Sequence, residues 1–390
     1  MPFVHHILRV SDLRLQAKRK LPRVLFDYVD GGAEDEVTML SNRAAFDHVK
    51  FRPRSGLGAE KSVLTANVLG HKLSLPLLLA PIGYSGLLHP AGEIAAARAA
   101  SKAGIPYILS TFSGERLESV KANSNGVLWY QLYMVGGRDV ASRAIERAKA
   151  AGYSALVITI DSAVAGLRER DFRNGMSELL SPHFLPKLPY IGQLLCKPGW
   201  LLSYFMNGGM PRLENIEIPG TGALSMEQLC ELPSAKSFRW EDLVWIREIW
   251  PGPIVIKGVM TIYDAQRAVD EGANAIIVSN HGGRQLDGLP ATLQVLPEVV
   301  EAVGNRAEVL MDGGIQRGSD VVKALSLGAR AVLCGRAYAY GLAAFGECGV
   351  NQVIEILSSE VERTLSLLGR NGTAELDSSC ITVDRNFATC

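Results

Sequence analysis

The chain has no surplus of charge of either sign. Its 40 lysines and arginines match 40 aspartates and glutamates, which removes the electrostatic argument for a nucleic-acid partner. Its six cysteines (Cys196, Cys230, Cys334, Cys348, Cys380 and Cys390) form no C-x-x-C pair, and no H-E-x-x-H occurs. Neither a metal site nor a disulfide framework is expected, and the cysteines read as free thiols of a reducing compartment. G-x-G-x-x-G and G-x-x-x-x-G-K-[ST] are both missing, since "GTGALS" (220–225) and "GLGAEK" (56–61) lack the third glycine. A nicotinamide dinucleotide or ATP is therefore not the expected cofactor. No window reaches the ~20 apolar residues of a spanning helix. The opening "MPFVHHILRVSDLRLQAKRKLP" lacks the apolar core of a signal peptide, so a cytoplasmic protein is expected.

What the chain does have is apolar content. Hydrophobic residues make up 47% of its 390 positions, enough for a large core as one domain or two. Short apolar runs recur with helical patterns between them: "LPLLLAPIG" (75–83), "YILS" (107–110), "LWYQLY" (128–133), "ALVITID" (155–161), "IVIKG" (254–258), "AIIVSN" (275–280), "AEVLMDGG" (307–314) and "AVLCGR" (331–336). Near-continuous apolar strands are what a parallel sheet covered on both faces requires. Stretches such as "GEIAAARAASKAG" have helical spacing and end in Gly. Eight β/α units predict a (β/α)8 TIM barrel, with an open doubly wound sheet as the alternative.

One domain is expected, in three parts: a helical cap over 1–74, a barrel over 75–348, and a C-terminal helix and loosely ordered tail over 349–390. The even spacing breaks once, after the fourth strand. An insertion at about 176–236, rich in Pro, Gly and aromatics, shows no clear strand, and connections this long are usually functional or disordered. Its "FLPKLPYIGQLL" and "GWLLSYFM", with Lys187 and Lys197 placed to snorkel, predict a segment over about 179–210 that docks on a membrane without crossing it. A soluble lid or subunit contact is the alternative.

The strand ends carry the polar residues: Thr159 and Asp161, Lys257, His281, Asp312 and Arg336. In barrels that is where chemistry sits. "DGGIQRG" before a helix and "GR" at the last strand end suit a phosphate, and a barrel phosphate site fits a mononucleotide such as FMN. His281 is a candidate base with Asp161 to orient it. Arg168 and Arg284 suit a carboxylate, and Tyr28 and Tyr133 can hydrogen-bond the same ligand. Lys257 can neutralise charge forming on a flavin.

On "LPRVLFDYVDGGAEDE" (21–36), "SNHGGRQLDG" (279–288) and "LCGRAYAYGLAA" (333–344), nearly the whole chain resembles the FMN-dependent 2-hydroxy-acid oxidase and dehydrogenase family. The resemblance implies oxidation of an S-2-hydroxy acid to the 2-oxo acid, with His281 as base, Asp161 behind it, Tyr133 and Lys257 assisting, and Tyr28, Arg168 and Arg284 on the substrate. It implies FMN on Pro81, Ile82, Gly83, Ser110, Gln131, Thr159, Lys257 and Ser279. The phosphate would lie on Asp312, Gly313, Gly314, Ile315, Gln316, Gly335 and Arg336. It also implies a homo-oligomer, a tetramer, handing electrons to a quinone or other carrier on the inner face of the cell membrane. An oxygen-using oxidase and a non-catalytic FMN-binding barrel are the alternatives. The chain departs from the family at three positions: Gln316, where many members have Arg and where Arg317 is the expected substitute; Phe112, where relatives of the glycolate-oxidase type have Trp; and Gly83, where oxidases usually carry Ala. "GLRERD" resembles the mandelate branch and "NGGMPRLENI" the lactate branch, so both substrate types stay open.

Overall fold

Each of the eight apolar runs contains a strand, and the strands close in chain order into one parallel barrel: β1 (Leu77–Leu79), β2 (Tyr107–Ser110), β3 (Leu128–Leu132), β4 (Ala155–Thr159), β5 (Ile254–Val259), β6 (Ala275–Val278), β7 (Glu308–Met311) and β8 (Ala331–Cys334). The computed structural model describes residues 7–57, 62–181, 183, 185–218, 222–224, 237–384 and 387. The long crossover between β4 and β5 does not interrupt pairing, since Thr159 lies opposite Lys257. The ring shuts where Leu333 of β8 lies opposite Leu78 of β1.

Strand alternation decides what fills the barrel. Leu78, Ile108, Trp129, Val157, Val255, Ile277, Leu310 and Leu333 form a buried cluster, while their neighbours Leu77, Leu79, Tyr107, Leu109, Tyr130, Ile158 and Ile256 join the larger cluster under the surrounding helices. Two residues beyond the interior set, on the same inward parity, come Ala80, Ser110, Gln131, Thr159, Lys257, Ser279, Asp312 and Gly335. The interior is apolar low in the barrel and polar at the mouth.

Before the barrel stand α1 (Val10–Lys20), α2 (Arg23–Asp30) and α3 (Val37–Ala44). Asp287 accepts the Val37 and Thr38 amides at 3.0 and 2.7 Å, satisfying the open N-terminus of α3. Asn42 and Asn280 exchange two buried side-chain hydrogen bonds at 2.8 and 2.9 Å. The cap is thus keyed to the loop after β6.

Two sequence expectations are corrected. Among the described residues, the connection after β4 contains short helices, including Met176–Leu180, Ile191–Leu195 and Pro198–Met206. It also holds an antiparallel strand pair, Leu213–Ile218 with Gly222–Leu224. That strand is anchored by Asn215, which accepts the Leu117 amide and donates to Glu115 O, both at 2.9 Å. Its partners are remote, and its register shifts between Leu213 and Glu217, so no alternation marks it in the sequence. The tail is likewise ordered over Ile381–Val383, which pairs with Val49–Phe51. The last residues, Cys390 among them, and 225–236 with Cys230 lie outside the described residues. Cys196, Cys334, Cys348 and Cys380 are free thiols. Among the described residues no helix is long and apolar enough to cross a membrane.

Candidate active site

The inward residues at the barrel mouth are bonded to one another around the ring. Ser110 Oγ meets Gln131 Oε1 at 3.3 Å, and Gln131 Nε2 donates to Thr159 Oγ1 at 3.0 Å. Across the barrel, Lys257 Nζ donates to Ser279 Oγ at 2.7 Å and pairs with Asp312 Oδ2 at 2.9 Å. A buried lysine needs such partners. Above this layer lies a cavity of about 970 Å³, at the upper end of the roughly 300–1,000 Å³ of small-molecule pockets.

His281 enters the cavity from the loop after β6 with a left-handed backbone, φ 58°. That conformation is uncommon outside glycine and is tolerated where surrounding structure enforces it. Here Ser279 Oγ accepts the His281 amide at 3.1 Å, and Asn280 is locked to Asn42. Asp161 Oδ1 and Oδ2 lie 3.1 and 3.2 Å from His281 Nδ1. Burial alone would raise the Asp161 pKa, but the charge and hydrogen bond of His281, with Lys257, hold it below the usual carboxylate range. An ionised Asp161 fixes the proton on Nδ1 and leaves Nε2 as the basic nitrogen. Nε2 faces the Tyr133 hydroxyl at 3.4 Å.

Arg168 and Arg284 line the same cavity as His281 and Tyr133. Arg284 Nη1 donates to Tyr28 O and Gly31 O at 2.6 and 3.0 Å, which aims the rest of the guanidinium. Burial, with repulsion from Arg168, lowers its pKa to about 10, so an anion between the two cations relieves the strain of their proximity. The Tyr28 hydroxyl donates to Gly83 O at 3.2 Å. Phe112 stacks near Tyr133 with ring centroids 5.0 Å apart, and Val164, Met176, Leu180 and Phe238 complete an apolar rim. A methyl group on Gly83 would sit 3.0 Å from Phe112 Cβ, so the glycine leaves room beside this wall.

The remaining lining is Pro81, Ile82 and Gly83, then Asp312 to Gln316, Gly335 and Arg336. These residues fit FMN. Gly314 has φ 77°, and a Cβ there would lie 2.3 Å from Asn42 O, so only glycine makes this turn. Gly335 and Arg336 open the ten-residue helix Arg336–Phe345, whose N-terminal amides suit a phosphate. Asp312 Oδ1 is buried without a partner among the described residues. The expectation that Arg317 substitutes for the missing loop arginine is corrected: its guanidinium is tied to Glu360 and lies outside the cavity that Gln316 lines. The Gln316 amide is taken by Asp320 at 3.0 Å. Arg336 donates to Val29 O, Gly282 O and Gly31 O at 3.1, 2.8 and 2.7 Å, so three of its five donors hold the cap and the His281 loop together.

Sequence reasoning did not single out Asn42, Asn280 or Gln285. Gln285 donates to Asp161 O and Val164 O, each at 3.0 Å, and so joins the loop after β4 to the loop after β6. No local pattern marks such pairings.

A parallel barrel with glycine-lined loops, a buried lysine and a His–Asp pair at its C-terminal mouth fits a flavin-dependent enzyme. The family model for FMN-dependent dehydrogenases matches residues 17–383, and the chain belongs to that family, with FMN as its cofactor. It is 42% identical to (S)-mandelate dehydrogenase of Pseudomonas putida over 93% of this chain and 91% of that one. It is 41% identical to L-lactate dehydrogenase of Pseudomonas syringae over 96% and 98%. A solved structure described as the monotopic membrane protein (S)-mandelate dehydrogenase superposes with a TM-score of 0.91 at 40% identity, covering 97% of this chain and 100% of that one.

Proposed function

We propose that the protein oxidises an S-2-hydroxy acid with an apolar 2-substituent to the 2-oxo acid. The carrying observation is the basic Nε2 of His281, backed by Asp161 and set beside the Tyr133 hydroxyl, in a cavity with two arginines. Arg168 and Arg284 hold the substrate carboxylate by charge-assisted hydrogen bonds. Tyr133 and Tyr28 orient the hydroxyl. His281 Nε2 takes one proton, from the hydroxyl or from the α-carbon, and both orders of events need that nitrogen unprotonated. Asp161 stabilises the imidazolium that results. FMN, when bound, would supply the two-electron acceptor, and Lys257, in the polar ring at the barrel mouth, would offset negative charge forming on it. The rim of Phe112, Val164, Met176, Leu180 and Phe238 favours an aryl substituent, as on mandelate, over the methyl of lactate. The test is anaerobic bleaching of the flavin band near ~450 nm by mandelate, lactate, glycolate and long-chain 2-hydroxy acids. Mandelate is expected to act fastest; a flavin that none of them reduces would end this reading.

The electron acceptor we infer is a quinone reached at a membrane surface. Leu185, Leu195, Leu202, Phe205 and Met206 are 75%, 61%, 62%, 68% and 76% exposed on one segment, an apolar patch of the kind that docks. Of the two lysines expected to snorkel, Lys197 is otherwise engaged, its Nζ donating to Arg19 O at 2.5 Å. The inner face of the cell membrane and a homotetrameric assembly carry over from the family resemblance alone. Detergent-free fractionation of cells should place the protein with the membranes; a wholly soluble protein with no affinity for lipid vesicles would contradict the docking.

A further inference from the structure

The helix Pro198–Met206 has two unlike faces. Trp200, Ser203 and Tyr204, with Asn207 just beyond its end, recur at helical spacing and line a second cavity of about 240 Å³. Leu202, Phe205 and Met206 lie on the opposite, exposed face. The inner wall of this second cavity is also a wall of the first. Tyr84 and Phe112 line the large pocket, whereas Gly86, Leu87 and Gly114 line the small one. Residues two apart in the chain lie within about 7 Å of each other, so the two spaces share one layer of main chain, the loops after β1 and β2, as a common wall. Trp200 is fastened to that layer, its Nε1 donating to Leu87 O at 2.8 Å.

Glu93 lines the small cavity and is fully buried. Its Oε1 accepts the Gly114 amide at 3.2 Å, and Oε2 has no hydrogen-bond partner among the described residues. Burial, with the charge of Glu115 adding to it, raises the pKa of Glu93 to about 7. The other titratable groups on the cavity walls are His89, Glu115, Tyr204, Arg212 and Glu214, and Tyr107 and Tyr338 lie near enough to feel the Glu93 charge.

We propose that this cavity seats the ring of a membrane quinone, with Glu93 donating a hydrogen bond and then a proton to one quinone oxygen. The proposal rests on the reading of the protein as an FMN-dependent 2-hydroxy-acid dehydrogenase at a membrane, and it names where the electrons leave. A quinone dissolved in the bilayer meets the cavity one helix behind the lipid-facing side chains. Trp200 and Tyr204, stacked at 5.0 Å, offer it an aromatic face. The thin wall holds it close to the flavin pocket. The exchange balances: the 2-hydroxy acid gives up two electrons with its α-hydrogen and hydroxyl proton, and the quinone takes two electrons and two protons to form two O–H bonds. Glu93 supplies one of those protons and is reprotonated from solvent, and solvent supplies the other, matching the two protons the 2-hydroxy acid releases.

The FMN-loaded protein tests this with decylubiquinone. Ser203→Trp, which fills the cavity, should abolish calorimetric binding of decylubiquinone and cut turnover with it at least about tenfold. Turnover with ferricyanide and anaerobic flavin reduction should stay within about twofold. Glu93→Gln should slow decylubiquinone turnover and remove its fall as pH rises through about 7, the range in which Glu93 loses its proton. The milder Ser203→Leu guards against misfolding. Decylubiquinone turnover within about twofold of the parent in both Ser203 variants, or an equal loss with ferricyanide in both, overturns the site and leaves the dehydrogenase reading standing. A parent that passes electrons to ferricyanide but never to decylubiquinone overturns the quinone reading together with the site.

Discussion

The barrel mouth and the segment between β4 and β5 are neighbours built by opposite means. At the mouth each polar side chain hangs from a strand whose neighbours are bonded on both sides, and Gln131, Thr159, Lys257 and Ser279 are at most 4% exposed. The segment over 179–210 is held by a few side-chain bonds: Val24 N to Gln193 Oε1, Trp200 to Leu87 O and Lys197 to Arg19 O. Leu185, Leu195, Leu202, Phe205 and Met206 face outward. Proton transfer and anion binding need positions fixed to fractions of an ångström, whereas docking on a fluid surface needs only apolar area. Changes at the mouth should therefore alter flavin reduction, and changes to the outward side chains of the segment should alter location.

The largest effect is expected from His281→Ala. Flavin reduction should fall by about 10²–10⁴ with FMN still bound, as stopped-flow absorbance will show. A variant within a few-fold of the parent would remove His281 as the base and with it the chemical half of the contrast. Next come Arg284→Lys and Arg168→Met, each expected to cost roughly 2–5 kcal/mol on acid substrates. Esters of the same acids should be poor for the parent and little changed by either variant; equal losses on acid and ester would indicate general damage to the mouth. A smaller and opposite effect is expected from Gln316→Arg, which restores a cation to the phosphate cradle and should tighten FMN about tenfold, read by fluorescence of released flavin. Arg317→Ala, remote from the cavity, should leave FMN affinity where it was. The smallest effect on chemistry is expected from replacing 185–210 by a short Gly/Ser linker, which leaves Leu180 of the rim in place. The shortened protein should move to the soluble fraction and still reduce its flavin, and a loss of flavin reduction there would show that the segment also builds the site.

Much of the mouth was legible because strands alternate. Thr159 and Lys257 read directly as polar strand ends, whereas Ser110, Gln131 and Ser279 come only through the family resemblance; the structure puts all five on the inward face, two residues beyond Ile108, Trp129, Val157, Val255 and Ile277. The loop after β4 was less legible. Phe238 lines the cavity with Arg168 and Phe112, but it lies far along the chain from both and no periodicity links it to them. Arg317 stood beside Gln316 in the sequence yet points to Glu360, because it precedes the helix Gly318–Ser326 and turns outward with it. The strand pair Leu213–Ile218 with Gly222–Leu224 escaped notice because a two-strand ribbon anchored by Asn215 has too short a pattern to read.

The sequence by itself determined eight strands and the polar residues Thr159, Lys257, Asp312 and Arg336 at or just beyond their ends, since these follow from local periodicity. Only the tertiary structure decided that Gln285 joins the loop after β4 to the loop after β6, that Asn42 locks Asn280 and that one helix of the insertion shields a second cavity. Those depend on contacts between segments as much as 238 residues apart, and such contacts are set by how whole elements pack rather than by any residue's neighbours in the chain.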